Sequence, residues 1–294
     1  MIKPKDMRLI TTAPGTSGLG AGCAVTLAKH HPARLYISGR SAPRANAIIA
    51  QVQSIVPDAD IRFLECDLGT LANVEAAAKH FLSENDRLDI LMCSAGIMAQ
   101  PAGLTHDGYE VQFGTNHIGH ALLIKLLLPI MLHTADQPGS DVRIVSISST
   151  AYKMSSGIPF KELKTSQDGG FGGPWKRYGQ SKLANRLYAA ALAKRYPSIT
   201  SVSLHPGLVA TELVTTQSWS NRLFLKLVNS RTLTPEEGTW NPLWAATTQK
   251  ENLVNGEFYE PFGKLGGHSK ASRSAVLQDE LWDWTQMELE SYKA

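Results

Sequence analysis

Cysteine is scarce in this sequence. Its three cysteines, Cys23, Cys66 and Cys93, form no Cys-x-x-Cys pair, and each lies in or beside an apolar run. Disulfide frameworks and zinc sites both need ligating or pairing residues at short, repeated spacings. The sequence therefore predicts neither a disulfide-bonded scaffold nor a metal site, and it favours a reducing compartment.

Long apolar runs are lacking too. The longest one covers residues 121–132 and is interrupted by Lys125 and Pro129, whereas a membrane-spanning helix needs about 20 apolar residues. The N-terminal residues MIKPKDMRLITT contain no apolar signal segment. We therefore expect no membrane span and a cytoplasmic protein. Residues 121–132 are apolar enough for the contact face of a homodimer, but a buried core helix would have the same pattern.

Charge of one sign is nowhere concentrated. The 294 residues include 29 Lys and Arg against 26 Asp and Glu, which gives a net charge of +3. A nucleic-acid-binding face usually shows clustered positive charge, so the sequence predicts no nucleic-acid partner. With 43% hydrophobic residues the chain can bury a large core. Its glycine-rich stretch at residues 169–173 is typical of a local loop, so we assign residues 1–294 to a single domain.

Two kinds of segment alternate along the chain. Short apolar or β-branched runs, typical of buried strands, occur at residues 8–12, 34–38, 61–66, 88–93, 142–148, 200–204 and 256–259. Stretches with helical spacing occur at residues 18–30, 43–55, 71–82, 108–133 and 178–195. A further helix begins at Thr234, which forms a capping-box pattern with Glu237. This alternation predicts an α/β fold, a Rossmann-type doubly wound parallel sheet with helices on both faces, in a single domain.

A glycine-rich turn follows the first predicted strand. Residues 9–20 read LITTAPGTSGLG and lead directly into a helix. Glycines let the backbone approach a pyrophosphate, and a helix N-terminus supplies free N–H groups and a positive dipole end. The turn therefore predicts a dinucleotide site, with these candidate cofactor-binding residues: Gly15, Thr16, Ser17, Gly18, Leu19 and Gly20.

The ends of the next strands extend this site. The second strand ends at Arg40, and no acidic residue lies nearby to hold a ribose hydroxyl. Arg40 is therefore suited to bind a 2′-phosphate. Alternatively, it is a solvated loop residue. Asp67 follows the third strand, where it would contact the adenosine half, cap a helix, or do both. The other candidates placed on the adenosine half are Leu68, Ser94, Ala95 and Gly96. Together these residues predict NADP as the cofactor, with NADPH preferred over NADH.

Candidate catalytic residues lie further along the chain. Tyr178 and Lys182 are four apart at the start of a helix, where a nearby ammonium is expected to lower the tyrosine pKa. Ser149 closes the fifth strand, as a catalytic hydroxyl or as a cap. Asn116 lies inside a predicted helix, where asparagine often has a hydrogen-bonding role. Its neighbours His117 and His120 lack a third metal ligand and are interpreted as structural.

Taken together, these motifs resemble the short-chain dehydrogenase/reductase family over about residues 8–260. The family's catalytic Asn, Ser, Tyr and Lys fall on Asn116, Ser149, Tyr178 and Lys182. Its cofactor turn, its Asn-Ala-Gly signature and its Pro-Gly segment resemble residues 15–20, 94–96 and 205–211. The similarity is greatest to the retinol-dehydrogenase-like and WW-domain-oxidoreductase-like branch.

The sequence departs from the family pattern in two places. Ala13 and Pro14 replace the Thr-Gly that opens the cofactor turn, and Cys93 and Ser94 replace two asparagines. Proline fixes φ and lacks an N–H, so the turn must differ locally and cofactor affinity is affected. The second departure is expected to alter local stability instead.

The resemblance implies an NADP(H)-dependent oxidoreductase that interconverts a ketone or aldehyde and an alcohol. Tyr178 would be the general acid, Lys182 would lower its pKa and hold the nicotinamide ribose, Ser149 would bind the substrate oxygen, and Asn116 would anchor a water relay. The family's Pro-Gly segment adds further candidate cofactor-binding residues: Pro206, Gly207, Val209 and Thr211. Tyr178 and Lys182 are also expected to contact the cofactor.

Three other functions fit the sequence less well. A non-catalytic NADP-binding sensor would be expected to lack part of the tetrad, all of which is present. An epimerase or dehydratase of the extended scaffold needs a larger C-terminal substrate domain, and a plain interaction module leaves the ordered tetrad unexplained.

Two segments are predicted to close over the substrate, residues 151–176 and 212–231. Both leave the carboxyl ends of strands and carry large apolar side chains, which predicts a bulky apolar carbonyl or alcohol as the small-molecule partner. Alternatively these side chains pack on the body of the protein or on a second subunit. The side chains concerned are Tyr152, Met154, Phe160, Phe171, Trp175, Leu213, Trp219, Leu223, Phe224 and Leu227.

Overall fold

An eight-stranded sheet organises the chain. The computed structural model describes residues 8–12, 18–170, 172–215, 219 and 231–293. Within them the strands of the large sheet follow the order β3-β2-β1-β4-β5-β6-β9-β10, and β7 pairs with β8 separately. The strands are β1 Arg8–Thr12, β2 Arg34–Gly39, β3 Ile61–Glu65, β4 Ile90–Cys93, β5 Arg143–Ile147, β6 Thr200–Leu204, β7 Leu208–Val209, β8 Thr232–Leu233, β9 Phe258–Glu260 and β10 Lys264–Leu265.

The strand order reverses beside β1. Leu9 of β1 is opposite Leu35 of β2 on one side and opposite Ile90 of β4 on the other, both in parallel register. Only the β9–β10 pair is antiparallel among the described strand pairs of this sheet. In open α/β sheets ligands bind beyond the carboxyl ends of the strands at such a switch point. The topology therefore places a site beyond the ends of β1 and β4, as the α/β prediction requires.

Helices cover both faces of the sheet. One core lies under α1, α2 and α8 and includes Cys23 and Val145, whereas the other lies under α3, α5 and α6 and includes Phe81 and Leu122. The predicted Rossmann-type doubly wound architecture is thus confirmed. The helices are α1 Gly18–Ala28, α2 Ala42–Ile55, α3 Leu71–Glu84, α4 Val111–Phe113, α5 Gly119–Ala135, α6 Gly173–Arg195, α7 Glu212–Thr215, α8 Pro235–Thr247 and α9 Ala275–Glu288.

The helix predicted over residues 108–133 is not a regular α-helix. A π-helical turn, Gly114–Ile118, separates α4 from α5. A Cβ atom at Gly119 would lie 2.4 Å from the carbonyl oxygen of Leu68, so α5 approaches the loop after β3 more closely than a side chain would permit. Helical spacing in the sequence does not distinguish this turn from the α-helix around it.

Side-chain caps fix the starts of α8 and α9. The Glu237 backbone N–H donates to Thr234 Oγ1 at 3.1 Å, and the Thr234 N–H donates to a Glu237 carboxylate oxygen at 2.9 Å, which confirms the predicted capping box. The sequence analysis did not predict α9. Its signals were the N-cap Ser274, whose Oγ accepts from the Leu277 N–H at 3.1 Å, and apolar residues spaced four apart at Leu277 and Leu281.

The apolar residues 121–132 belong mainly to the core. Leu122, Leu123 and Leu127 are fully buried, and the Lys125 ammonium donates to the Leu289 carbonyl oxygen at 2.5 Å just after α9. Packing within the chain therefore accounts for this apolar run, and a homodimer stays a prediction. Among the described residues, Val111–Ala135 is also the one helix long and apolar enough to cross a membrane, with 67% of its most apolar window buried inside the molecule.

Candidate active site

A cleft of about 1540 Å³ lies beyond the carboxyl ends of the parallel strands. It exceeds the range of about 300–1,000 Å³ that is usual for a pocket holding one small ligand, so a cofactor and a substrate can share it. Most of the predicted site residues line it together: Gly18, Leu19, Arg40, Asp67, Leu68, Ser94, Ala95, Gly96, Ser149, Tyr178, Lys182, Pro206, Gly207, Val209 and Thr211.

Some predicted site residues lie elsewhere. Gly20 is buried inside α1 and does not line the cleft, which fits a packing role for this glycine. Residues 13–17, which hold the predicted contacts Gly15, Thr16 and Ser17 and the unusual Pro14, lie outside the described residues.

Tyr178 faces the cleft from the second turn of α6. It is only 7% exposed, and this burial raises its pKa to about 12, while a hydrogen bond with Ser149 acts in the opposite direction. The sequence predicted a lowered pKa from Lys182, but loss of solvation outweighs that expectation. The phenol therefore keeps its proton at neutral pH, which is the state that a general acid needs.

Ser149 caps a short helix, one of the two roles that the sequence left open, and it also lies in the cleft. Its Oγ accepts from the Ala151 backbone N–H at 3.2 Å and so caps the short 3₁₀ helix Thr150–Met154. The same side chain lines the cleft and hydrogen-bonds to Tyr178. The cap fixes the position of the hydroxyl beside the tyrosine.

Lys182 lies one turn after Tyr178. Its ammonium nitrogen is 5.6 Å from the centre of the Tyr178 ring and donates to the Ile147 carbonyl oxygen at 3.0 Å. Burial lowers its pKa to about 8, because the charged form loses solvation. The lysine is thus held beside the tyrosine by the last residue of β5.

Asn116 lies in the π turn behind the cleft and joins two walls of it. Its amide donates to the Ile97 carbonyl oxygen at 2.9 Å and to Ser181 Oγ at 2.9 Å, and its Oδ1 accepts from the Ile97 N–H at 2.8 Å. A Cβ atom at Gly96 would lie 3.1 Å from Asn116 Oδ1 and 3.3 Å from Lys182 Nζ. Gly96 therefore leaves the space in which these side chains meet.

His117 and His120 are buried behind the same wall. Burial lowers the pKa of His117 to about 3 and that of His120 to about 4, so both rings are neutral at pH 7. His117 Nε2 lies 3.1 Å from Thr285 Oγ1 on α9. The described part of the chain contains no cluster of three or more His, Cys, Asp or Glu suited to a metal, and both histidines have packing roles.

Asp67 lines the cleft and is not a helix cap. Its Oδ1 accepts from the Gly69 N–H at 2.9 Å, which folds the loop after β3. The N-cap residue of α3 is Thr70, and Asp107 accepts from the Leu71 N–H at 2.8 Å. The capping alternative for Asp67 is therefore wrong.

A second arginine joins Arg40 at the adenosine end. Arg40 and Arg44 are both exposed and both line the cleft, with Ser41 between them as the N-cap of α2. Guanidinium groups and a helix N-terminus are favourable partners for phosphate. The sequence analysis missed Arg44, although its position four residues after Arg40 at a helix start was a usable signal.

A buried ion pair supports the start of α6. Arg177 directly precedes Tyr178, and its Nε lies 3.2 Å from a Glu110 carboxylate oxygen, with side chains 3% and 0% exposed. The guanidinium also donates to the carbonyl oxygens of Gln167 and Gln100, each at 3.0 Å. One side chain therefore joins the loop after β4, the start of α4 and the segment before Tyr178.

Replacing Arg177 with methionine is expected to destabilise the fold strongly. The Glu110 carboxylate would remain buried without its counter-ion, which typically costs about 3–5 kcal/mol. Thermal unfolding should shift down by roughly 10 °C for a chain of this size. The Glu110→Gln/Arg177→Met double variant removes both charges and should regain most of the loss. Equal destabilisation of the single and the double variant would contradict this account of the pair.

The other end of the cleft is mainly apolar. Met98, Leu208, Trp175 and Val214 cluster with Tyr178, and the Trp175 and Tyr178 rings meet edge to face with centroids 6.2 Å apart. Met154 lines this end as well. An apolar wall therefore lies beside the Tyr178 ring.

Several side chains predicted to line the substrate pocket lie elsewhere. Tyr152 is fully buried and its hydroxyl donates to the Gly267 carbonyl oxygen at 2.6 Å, while Phe160 packs against Trp284 of α9. Trp219 is 78% exposed and is not among the described residues that line the cleft. The alternative of packing on the body of the protein is therefore correct for Tyr152 and Phe160. Phe171, Leu223, Phe224 and Leu227 lie outside the described part of the structure, and so does the side chain of Leu213.

Polar residues also border the cleft at this end. The Lys153 ammonium lies 3.6 Å from a Glu260 carboxylate oxygen, and His205 lines the same cleft. The apolar Phe262 lines it as well. The sequence analysis named none of them as ligand contacts. The pairing of Lys153 with Glu260 depends on the approach of β9 to the 3₁₀ helix after β5, which local patterns do not reveal.

Comparison with known proteins gives consistent matches. The short chain dehydrogenase family model matches residues 8–158. An uncharacterized oxidoreductase of Schizosaccharomyces pombe is 38% identical, covering 97% of this chain and 85% of that protein. Retinol dehydrogenase 11 of Mus musculus is 31% identical, covering 95% and 85%. A crystal structure of an uncharacterized protein from Mycobacterium paratuberculosis has a TM-score of 0.73 at 28% identity, covering 97% and 93%.

The two relatives and the crystal structure match nearly the whole chain, and all the matches agree with the resemblance inferred from its motifs. Most of the described residues of these motifs line a single cleft at the switch point of the sheet, and Asn116 lies behind it. The chain belongs to the short-chain dehydrogenase/reductase family, in its retinol-dehydrogenase-like branch, and is an oxidoreductase of carbonyl and alcohol groups.

Proposed function

We propose that this protein is an NADPH-dependent reductase of a bulky, mostly apolar ketone or aldehyde. The observation that carries the proposal is the position of Tyr178. Its protonated hydroxyl is paired with Ser149, and its ring packs in an apolar cluster with Trp175 and Leu208. Few polar groups beside a proton donor suit a substrate that is apolar around its carbonyl.

The cleft fits a nicotinamide cofactor, a class of cofactor that the family uses. The backbone of Ser94, Ala95 and Gly96, which lines the cleft after β4, would contact the cofactor. Arg40, Arg44 and the N-terminus of α2 would hold a 2′-phosphate, because this corner offers cationic and N–H donors. Bound NADPH would supply the hydride.

The chain's own residues would handle the proton and the developing charge. Tyr178 would donate its phenolic proton to the substrate oxygen as the carbonyl is reduced, and it would take the proton back in the reverse direction. Ser149 would donate a hydrogen bond to the same oxygen, stabilising negative charge as it forms. Lys182 would favour the resulting phenolate and hold the nicotinamide ribose. Asn116 would anchor the water relay that returns a proton, and Thr211 would hold the carboxamide.

We further propose a small-molecule substrate, no nucleic-acid partner and a cytoplasmic setting, with a homodimer as an open alternative. The mixed and nearly balanced charges, 29 basic against 26 acidic residues, support the expectation of no nucleic-acid partner.

The decisive experiment measures nicotinamide absorbance with a panel of ketones, aldehydes and alcohols. Each compound is tested with NADPH and NADH, or with NADP and NAD for the alcohols. We expect turnover of apolar carbonyls with NADPH. Binding of NADPH with no turnover of any compound would favour a non-catalytic NADP-binding sensor instead.

Trp175→Ala should weaken the preference for larger apolar substrates. Each buried CH₂ group is worth about 0.8 kcal/mol, so wild-type kcat/KM should rise severalfold per carbon along a series of straight-chain ketones. Removing the indole next to Tyr178 takes away part of the apolar wall, and the rise should flatten. The matched control is Trp219→Ala, because Trp219 is 78% exposed. Higher kcat/KM for small polar ketones or sugars would contradict the apolar assignment.

A further inference from the structure

His205 occupies a fixed position at the carboxyl end of β6. Its backbone N–H donates to the Tyr259 carbonyl oxygen at 2.8 Å, and its own carbonyl oxygen accepts from the Asn241 side-chain amide at 2.8 Å. Strand β9 and helix α8 thus hold the residue from two sides. The imidazole lines the cleft described above.

One ring nitrogen of His205 has no partner within the described part of the chain. Nδ1 is buried and has no hydrogen-bond partner among the described residues. Unpaired buried polar atoms are uncommon in native proteins because they are costly, so each one requires a reason. A buried nitrogen without a partner is less costly as an acceptor than as an N–H donor. The ring proton therefore belongs on Nε2, on the edge of the imidazole away from the buried Nδ1.

The charges around His205 keep the ring neutral and place it near the reacting end of the cleft. Burial, and after it the charges of the Lys153 and Lys182 ammonium groups, lower its pKa to about 4. Lys182 is the partner of Tyr178, and Lys153 lies four residues after Ser149. The remaining carboxylate nearby, Glu260, is held by Lys153 at 3.6 Å. A ligand atom between these groups meets an N–H donor in electropositive surroundings.

We propose that His205 is a substrate-binding residue whose Nε2–H donates a hydrogen bond to a second oxygen of the substrate, away from the reacting carbonyl. The preferred substrates are then amphipathic carbonyl compounds with an additional ketone, ester or carboxylate oxygen. This inference rests on the proposed reductase function and refines its substrate class.

The test compares two ketones with wild-type protein and variants. One is an unbranched aliphatic methyl ketone, and the other is a methyl ketone of the same length with an ester group away from the ketone, prepared with the ester at several positions. Wild-type kcat/KM should favour the best keto ester by roughly three- to tenfold, the usual effect of one hydrogen bond. His205→Leu should lose this preference, and His205→Gln, which keeps an N–H donor, should retain part of it.

Thermal unfolding separates this role from a structural one. Because Nδ1 has no partner to lose, His205→Leu should unfold at the same temperature as wild type or higher. Ser203→Ala is the matched control, because Ser203 Oγ is also a buried atom of β6 without a partner among the described residues, and Ser203 does not line the cleft. This variant should keep the wild-type preference for the keto ester.

Three results would overturn the proposal. A lower unfolding temperature with equal losses on both ketones would make His205 a packing residue. A raised KM for NADPH with an intact preference between the two ketones would make it a cofactor contact. Equal wild-type kcat/KM for the two ketones would reject the hydrogen bond to a second substrate oxygen and leave the reductase function intact. By contrast, no turnover of either ketone would reject the reductase function itself.

Discussion

Tyr178→Phe is expected to lower turnover about a hundredfold or more. The change keeps the ring that packs against Trp175 and removes the only hydroxyl placed to donate a proton in the proposed mechanism. General acid catalysis typically contributes about 10²–10⁴-fold to a rate. Burial raises the pKa of Tyr178 to about 12, so wild type carries the proton throughout the neutral range and the variant lacks it at every pH. Steady-state kcat with the best ketone measures the effect.

Two measurements make this result specific to the proton. NADPH affinity, followed by fluorescence titration, should be nearly the same in the variant and in wild type, because the variant keeps the ring and its packing against Trp175. Tyr188→Phe is the matched control, since Tyr188 is a buried tyrosine of the same helix whose hydroxyl accepts from Gln286 at 3.3 Å. Turnover of Tyr178→Phe close to the wild-type rate would show that another group donates the proton.

Local patterns in the sequence were sufficient to predict the strands whose ends carry the site residues. Strand β6 was predicted with its observed bounds, and Arg40, Asp67 and Ser149 all follow strands that the alternation of segments located. In a parallel sheet the carboxyl ends of the strands lie on one edge. Locating the strand ends was therefore enough to predict that these distant residues lie in one cleft.

Long-range contacts determined what the sequence did not reveal. Tyr152 and Trp175 belong to the same aromatic-rich segment, yet Tyr152 turns inward to Gly267 and Trp175 turns to the cleft. The choice depends on β9 and the loop after β10, which lie about a hundred residues further on. The ion pair of Arg177 with Glu110 and the unpaired nitrogen of His205 also exist only once distant segments pack together.

The pKa of Tyr178 shows the same limit in electrostatic form. The four-residue spacing correctly placed Lys182 near the phenol, at 5.6 Å from the ring centre. The spacing does not show how deeply the two groups are buried, however. Burial raises the pKa of Tyr178 and lowers that of Lys182, so it favours the neutral form of each. The sequence thus identified the pair and misjudged the direction of the tyrosine shift.

Arg40→Ala is expected to weaken NADPH binding about ten- to a hundredfold and to leave NADH binding nearly unaffected. A hydrogen bond to a charged group contributes about 1.5–3 kcal/mol, and the guanidinium fork matches a phosphate with two parallel donors. Arg40 is exposed at the end of β2 and lines the cleft, beside Ser41 at the start of α2. NADH lacks the 2′-phosphate, so it does not make this contact. The ratio of the two dissociation constants, measured by titration, is the relevant quantity.

Arg44 allows a sharper form of the experiment. It lines the same corner, so Arg40→Ala/Arg44→Ala should reduce the preference for NADPH further than either single change. Arg273→Ala removes an exposed arginine that does not line the cleft and should leave both dissociation constants as in wild type. Raising the salt concentration should weaken NADPH binding to wild type more than to the double variant, because exposed charge pairs are screened. Equal affinity of the wild-type protein for NADPH and NADH would instead show that Arg40 is a solvated loop residue and that the cofactor is not selected at this corner.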